Sequence, residues 1–279
     1  MPRIAISLGS SFLGYATHAG FMARLHELGV RPVKVAGASA GAIAAGLYAS
    51  GLSQERIKDE VLRLWMRLSF VHGTTWFLHQ VRSFLLSPHP SIFHPRAAVT
   101  HFESIVGYMK IEDLRQPSLS VALTRLDTHE ALLAERGSLA HAMVNSCCVP
   151  VLFAPLEYEG AMCVDGGVAN ELPVDQWFND DEVDIIIAHR ITSANPPRSI
   201  FFPYNIMGIS SDVHDTAGKQ LMGYRQALAK QAGKTFLVAD TVHPRPSMLF
   251  GHDLSGFYAI GVAQAQKFFD STLRPLLDA

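Results

Sequence analysis

The stretch Val35-Ala36-Gly37-Ala38-Ser39-Ala40-Gly41-Ala42-Ile43 constrains the fold more than any other part of the 279-residue chain. An apolar, strand-like run ends in Gly-x-Ser-x-Gly and passes without a break into an alanine-rich, helix-like run. A serine on so sharp a strand-to-helix turn needs tiny neighbours, because side chains two residues before and after it would collide across the turn. Gly37 and Gly41 meet that need. The pattern is that of a nucleophile elbow with Ser39 at its apex. The plainer reading is a glycine-rich turn that happens to contain a serine, so the flanking segments have to decide.

Upstream, residues 3–8 are rich in branched apolar types and read as a buried strand. Gly9-Ser10-Ser11-Phe12-Leu13-Gly14 is a loop of mostly small residues bounded by glycines, and a helical pattern follows over 16–28 until Gly29 stops it. Residues 32–36 form a second strand, which a helical crossover makes a parallel neighbour of the first. That topology puts the Gly9 to Gly14 loop and Ser39 at the same C-terminal sheet edge, where open α/β sheets carry their sites. Backbone N–H groups of such a loop can point at an anion. An ordinary strand-to-helix connection explains the loop equally well at this point.

Composition narrows the class. Hydrophobic residues at 48% and charged residues at 17% indicate a globular chain. A net charge of -2, with no long run of Lys or Arg, disfavours a nucleic-acid partner. Cys147, Cys148 and Cys163 are odd in number and two are adjacent, which is no disulfide framework and suggests a reducing compartment. They read as small buried apolar residues. The N-terminal apolar run is too short and too weakly basic for a secretory signal, so a cytoplasmic protein, soluble or peripheral to a membrane, is expected. The uncharged run 35–51 is mostly Ala and Gly, which suits a buried elbow strand and its helix better than a transmembrane segment.

Further on, Ser53 reads as the N-cap of a helix reaching to about 68. Residues 71–95 interleave aromatics with prolines and with His72, His79, His89 and His94. They form either a cap or lid over an apolar site or an irregular helical subdomain, and the histidines lack a standard zinc spacing. A strand is expected at 119–123, a short strand or the start of a connection at 130–133, a helix at 139–147, and two strands at 153–157 and 161–164 joined around Glu159-Gly160. The second of these runs into Asp165-Gly166-Gly167, which is either a simple turn or a carboxylate held rigidly at a strand end with open access. A strand at 184–189, an apolar loop at 200–204, a long helix at 212–232, a strand at 234–240 and a closing helix at 258–273 complete the reading. Gly233-Lys234-Thr235 is no phosphate-binding loop, because Leu228 stands where the earlier glycine belongs. A single domain over 1–279, with the cap at about 71–95, is the simplest organisation.

An α/β-hydrolase places several strands before its elbow, whereas one strand-loop-helix unit precedes Ser39; a Ser-x-x-Lys site is excluded by Ala42. The partner base then lies downstream, with Asp165 as a direct base or His243 or His252 as triad members.

Several motifs in one order resemble the patatin-like phospholipases, serine lipid acyl hydrolases. They are the Gly-rich loop, Gly37-Ala38-Ser39-Ala40-Gly41, the segment from Asn145-Ser146-Cys147-Cys148-Val149-Pro150 to Pro155, and Val164-Asp165-Gly166-Gly167-Val168-Ala169-Asn170-Glu171-Leu172-Pro173-Val174. The resemblance covers most of the first 175 residues. It implies an α/β, three-layer α/β/α fold with a central, mostly parallel sheet. It makes Ser39 the nucleophile and Asp165 the second member of a Ser-Asp dyad. Gly9, Ser10, Ser11, Phe12 and Gly14 become the oxyanion loop. The family loop is typically Gly-Gly-Gly-x-Arg/Lys-Gly, and Leu13 stands at the basic position. The implied substrate is a phospholipid or other acyl ester, met at a membrane surface, and neither metal nor organic cofactor is needed. A lipid-binding or scaffold protein that lost activity and a His-dependent esterase or thioesterase are the competing readings. Oligomeric state is open.

Overall fold

Alternation within the first strands sets the layers. In β1 (Ile4–Leu8), Ile4, Ile6 and Leu8 enter one hydrophobic cluster and Ala5 enters a second one on the opposite sheet face. After helix α1 (Tyr15–Glu27), β2 (Lys34–Gly37) divides the same way, with Val35 on the first face and Ala36 on the second. The structure, a computed structural model, describes residues 2–71, 91–194, 206–244 and 254–278. Most of the expected cap, the 200–204 loop and His252 lie outside those residues.

The elements then run in order: α2 (Ala40–Ala49), α3 (Gln54–Leu62), α4 (Trp65–Leu68), α5 (Arg96–Val106), β3 (Ser118–Arg125), β4 (Ala131–Ala134), α6 (Leu139–Asn145), β5 (Leu156–Tyr158), β6 (Ala161–Asp165), β7 (Ile185–Ala194), α7 (Ile206–Gln231), β8 (Thr235–Pro244) and α8 (Leu254–Phe268). The sheet order is β5-β6-β3-β2-β1-β7-β8, with β4 also paired to β3. The pairs β1–β2, β1–β7, β2–β3 and β7–β8 are parallel, and the pairs among β3, β4, β5 and β6 are antiparallel. Residues of α1, α2 and α8 fill one face; Leu172, Val174, Trp177, Phe178 and, from α7, Met222 and Ala229 fill the other. This is the expected three-layer α/β/α arrangement with a mostly parallel sheet.

Two close helix approaches lock the C-terminal helix onto the first one. A Cβ on Gly20 would sit 2.1 Å from the Tyr258 carbonyl oxygen, and one on Gly261 would sit 2.0 Å from that of Thr17. Only glycine lets α1 and α8 approach backbone to backbone in this way.

Several expected boundaries are corrected. The helix from Ser53 breaks at Arg63, which takes an extended backbone with ψ 131. The break lets the guanidinium of Arg63 return to the fully buried Glu60 at 3.2 Å, beside Arg56 at 2.6 Å, and a buried carboxylate needs such partners. Helix α5 has no counterpart in the sequence reading, although it buries Ala98, Phe102 and Val106 at a spacing of four and ends at Gly107 with φ 67. Strands β7 and β8 each run on to ten residues because they pair in parallel along their whole length. Helices α7 and α8 begin earlier than expected, at Ile206 and Leu254.

Candidate active site

Ser39 sits between β2 and α2 with φ 54 and ψ -120, a backbone conformation that L-residues seldom adopt. The glycines that the turn demanded are demanded by backbone. A Cβ on Gly37 would lie 2.4 Å from the Gly41 carbonyl oxygen, and one on Gly41 would lie 2.0 Å from that of Leu8. The elbow therefore packs directly on the end of β1, where the Gly9 to Gly14 loop starts. Gly41→Ala forces backbone to move, and is expected to cost about 3 kcal/mol of stability, measured by urea unfolding.

Asp165 ends β6, which pairs antiparallel with β3. Ser39 Oγ donates to Asp165 Oδ2 at 2.7 Å, and the Gly167 N–H donates to Asp165 Oδ1 at 2.7 Å. Ser39 and Asp165 are both nearly buried, at 8% and 4% exposure. Burial pushes the Asp165 carboxyl up to about 7, against the pull of the hydrogen bonds from Ser39 and Gly167. A carboxylate that titrates near neutrality is a competent proton acceptor for a serine hydroxyl. The small residues after it are required by packing. A Cβ on Gly166 would lie 2.0 Å from the Ala122 carbonyl oxygen, and one on Gly167 would lie 2.4 Å from Ser10 Oγ.

Ser146, at the end of α6, joins the two halves, a role that sequence reasoning missed. The Ser39 N–H donates to Ser146 Oγ at 2.8 Å, and that hydroxyl donates to the Ala122 carbonyl of β3 at 2.7 Å. The same turn supplies carbonyls to the end of β6, from Cys148 to the Asp165 N–H and from Ser146 to the Gly166 N–H. Thr124 completes the support by donating to the Asp165 carbonyl oxygen at 2.8 Å. Ser146 lay inside a motif already singled out, but its function depends on three strands meeting.

In the Gly9 to Gly14 loop, two N–H groups are already in use. Gly9 N donates to the His189 carbonyl at 3.0 Å, and Ser10 N donates to that of Glu171 at 2.7 Å. Among the described residues no acceptor is bonded to the N–H of Ser11, Phe12, Leu13 or Gly14, so the free donors of the loop lie after Ser10, and Ser11 and Phe12 are the first of them. Gly14 has a packing role, since a Cβ there would meet Ser11 Oγ at 2.3 Å. Leu13 takes φ 55 and is partly buried against the main core. The Glu171 end is anchored by the buried Arg225 of α7, which pairs with both Glu171 and Asp175.

The remaining candidates separate cleanly. His243 is buried, contacts the Pro244 carbonyl and the Phe257 ring, and has no hydrogen bond to Ser39. Cys147, Cys148 and Cys163 are all free and buried. Among the described residues no group of three His, Cys, Asp or Glu side chains is placed to hold a metal ion, and no helix is long and apolar enough to cross a membrane.

A family model described as patatin-like phospholipase matches residues 6–177 and so spans both Ser39 and Asp165. An uncharacterized NTE family protein of Mycobacterium tuberculosis is 32% identical over 177 residues, covering 62% of this chain and 45% of that protein. The omega-hydroxyceramide transacylase of Mus musculus is 26% identical over 216 residues, covering 72% of this chain and 33% of that protein. The chain thus spans less than half the length of these curated relatives. The crystal structure of VipD from Legionella pneumophila superposes with a TM-score of 0.54 at 15% identity, over 97% of this chain and 67% of that one, which is a likeness of fold. With well over half of its residues under the family model, the chain belongs to the patatin-like phospholipase family.

Proposed function

We propose that this chain is a serine lipid acyl hydrolase that cleaves carboxylic esters through an acyl-Ser39 intermediate. The observation that carries the reading is the 2.7 Å hydrogen bond from Ser39 Oγ to the buried Asp165 carboxylate. Asp165 takes the hydroxyl proton as Oγ attacks the ester carbonyl, and the N–H groups of Ser11 and Phe12 receive the oxyanion. Collapse of the tetrahedral adduct expels the alcohol, which leaves with the proton from Asp165. Water, deprotonated by the same carboxylate, then releases the acid and restores Ser39. A lone carboxylate is a weak base, which favours esters over amides. Membership in a phospholipase family supports an acyl lipid as substrate, taken from a membrane surface by a cytoplasmic or peripheral enzyme. The mouse relative, named a transacylase, supports a second fate for the acyl-serine, transfer to an alcohol in place of water.

Hydrolysis of p-nitrophenyl acyl esters and of phospholipid vesicles by the wild type tests the reading. Turnover of either class, with transfer products appearing when a long-chain alcohol is added, is the expected result; a wild type inert to every ester overturns it. The pH profile is a second check. Only the ionised Asp165 accepts the proton, so kcat/KM on a soluble ester should fall about tenfold per pH unit below about 7 and be level above it.

A further inference from the structure

Behind the loop lies a buried polar chain that the dyad does not use. His18 Nε2 lies 2.9 Å from the Gly9 carbonyl oxygen, and His18 Nδ1 lies 2.9 Å from His189 Nδ1. His189 Nε2 in turn lies 2.9 Å from Thr241 Oγ1. Both imidazoles are fully buried, and burial pushes His18 down to about 3 and His189 well below its ordinary value, so both rings are neutral. His243, the other ionisable neighbour, is buried beside them.

The partners then fix every proton. A carbonyl only accepts, so the hydrogen of His18 sits on Nε2 and its Nδ1 is a lone pair. That lone pair faces His189 Nδ1, which therefore carries the hydrogen of His189. His189 Nε2 is left as an acceptor and takes the Thr241 hydroxyl proton. The chain runs one way: Thr241 to His189 to His18 to the Gly9 carbonyl. Phe21 stacks on His189 with ring centroids 3.9 Å apart and holds the ring in plane. Ser11 Oγ lies 3.4 Å from His18 Nε2, so the same N–H also reaches the residue that offers a free donor.

We infer that His18 is a positioning residue for the oxyanion loop, and that the Nδ1–H of His189, by filling the His18 Nδ1 lone pair, holds it in the tautomer with which it does so. The Gly9–Ser10 peptide is held at its carbonyl by His18 and at its N–H by Glu171, and this fixes the bearing of the next two N–H groups. The Thr241 hydroxyl either donates or accepts, so it follows this order and does not set it. Without the His189 N–H, the His18 Nδ1 lone pair is buried with no donor, and the ring no longer holds Gly9 in one orientation. This role rests on the hydrolase reading, so the test has one arm that needs no activity.

The first arm is 15N NMR of the histidine side chains in the intact protein. His18 should be neutral and protonated on Nε2, and His189 neutral and protonated on Nδ1, with the His18 pattern lost in His189→Leu and kept in His189→Asn, which keeps a donor. A His18 proton on Nδ1 in the wild type, or an unchanged His18 pattern in His189→Leu, overturns the inference whether or not the protein hydrolyses esters. The second arm is kcat and KM on a soluble p-nitrophenyl ester. His189→Leu should lower kcat about fivefold with KM unchanged, and His189→Asn should recover part of it. His18→Phe should lower kcat about 100-fold, the scale of one oxyanion donor, and His18→Gln, which keeps a donor, should recover part of that. Wild-type kcat in His18→Phe, or His18→Gln as slow as His18→Phe, overturns the positioning role. A wild type that turns over no ester while the NMR pattern holds refutes the hydrolase reading and, with it, the catalytic half of the inference.

Discussion

Asp165→Asn is expected to abolish ester hydrolysis, by at least about 1,000-fold in kcat, while making the protein more stable at pH 8. An amide fits the site: its oxygen can accept from the Gly167 N–H and its nitrogen can donate to Ser39 Oγ, the two contacts that Asp165 makes. What it cannot do is accept a proton. The stability gain follows from linkage. The carboxyl is raised from 3.8 to about 7 on folding, so its contribution is fully present below about 4 and is lost as pH rises through 7. Above that, the wild type holds a buried charge that Asn never acquires. Three pKa units correspond to at most about 4 kcal/mol, and a gain of about 2 kcal/mol would raise Tm by roughly 5 °C. Thermal unfolding at pH 8 and pH 4 should show the gain shrinking at acid pH. A variant less stable than the wild type at both would contradict the assigned cause.

Ser39 gives the second large effect, and again activity and stability part company. Ser39→Ala removes the proposed nucleophile and should lower kcat at least about 1,000-fold with little change in stability. Ser39→Gly should be equally inactive yet more stable by about 1 kcal/mol, because glycine relieves the cost of holding φ 54 and ψ -120. Urea unfolding of the three proteins side by side reads this difference. Strain of this kind persists only where the surroundings hold the turn, and here they do so through the Ser39 N–H to Ser146 bond and the backbone contact between Gly41 and Leu8.

The first half of the fold was legible because its signals are local. Gly29, with φ 86, ends α1 where a stop was expected; Gly37 and Gly41 mark the elbow; Glu159 and Gly160, with φ 48 and φ 80, make the turn between β5 and β6. Helix α5 was equally readable from Ala98, Phe102 and Val106 and from the terminal Gly107, but the proline- and histidine-rich texture before it drew attention away. The break at Arg63 was not readable, since it answers a carboxylate whose burial is decided by tertiary packing. The same holds around the loop. Its N–H groups are divided between use and freedom by the carbonyls of Glu171 and His189, and its carbonyl is held by a chain that joins α1 to β7 and β8. No spacing rule connects residues 9, 18, 189 and 241. Only the parallel placement of β7 beside β1, and β8 beside β7, brings them together.

The most direct test of the Ser39–Asp165 pair is fluorophosphonate labelling followed by peptide mass spectrometry, with the labelling rate measured from pH 5 to pH 9. The label should sit on Ser39, its rate should rise about tenfold per pH unit to a plateau above about 7, and Asp165→Asn should reduce it to background. A label on another residue, or wild-type labelling of Ser39 in Asp165→Asn, would contradict the dyad.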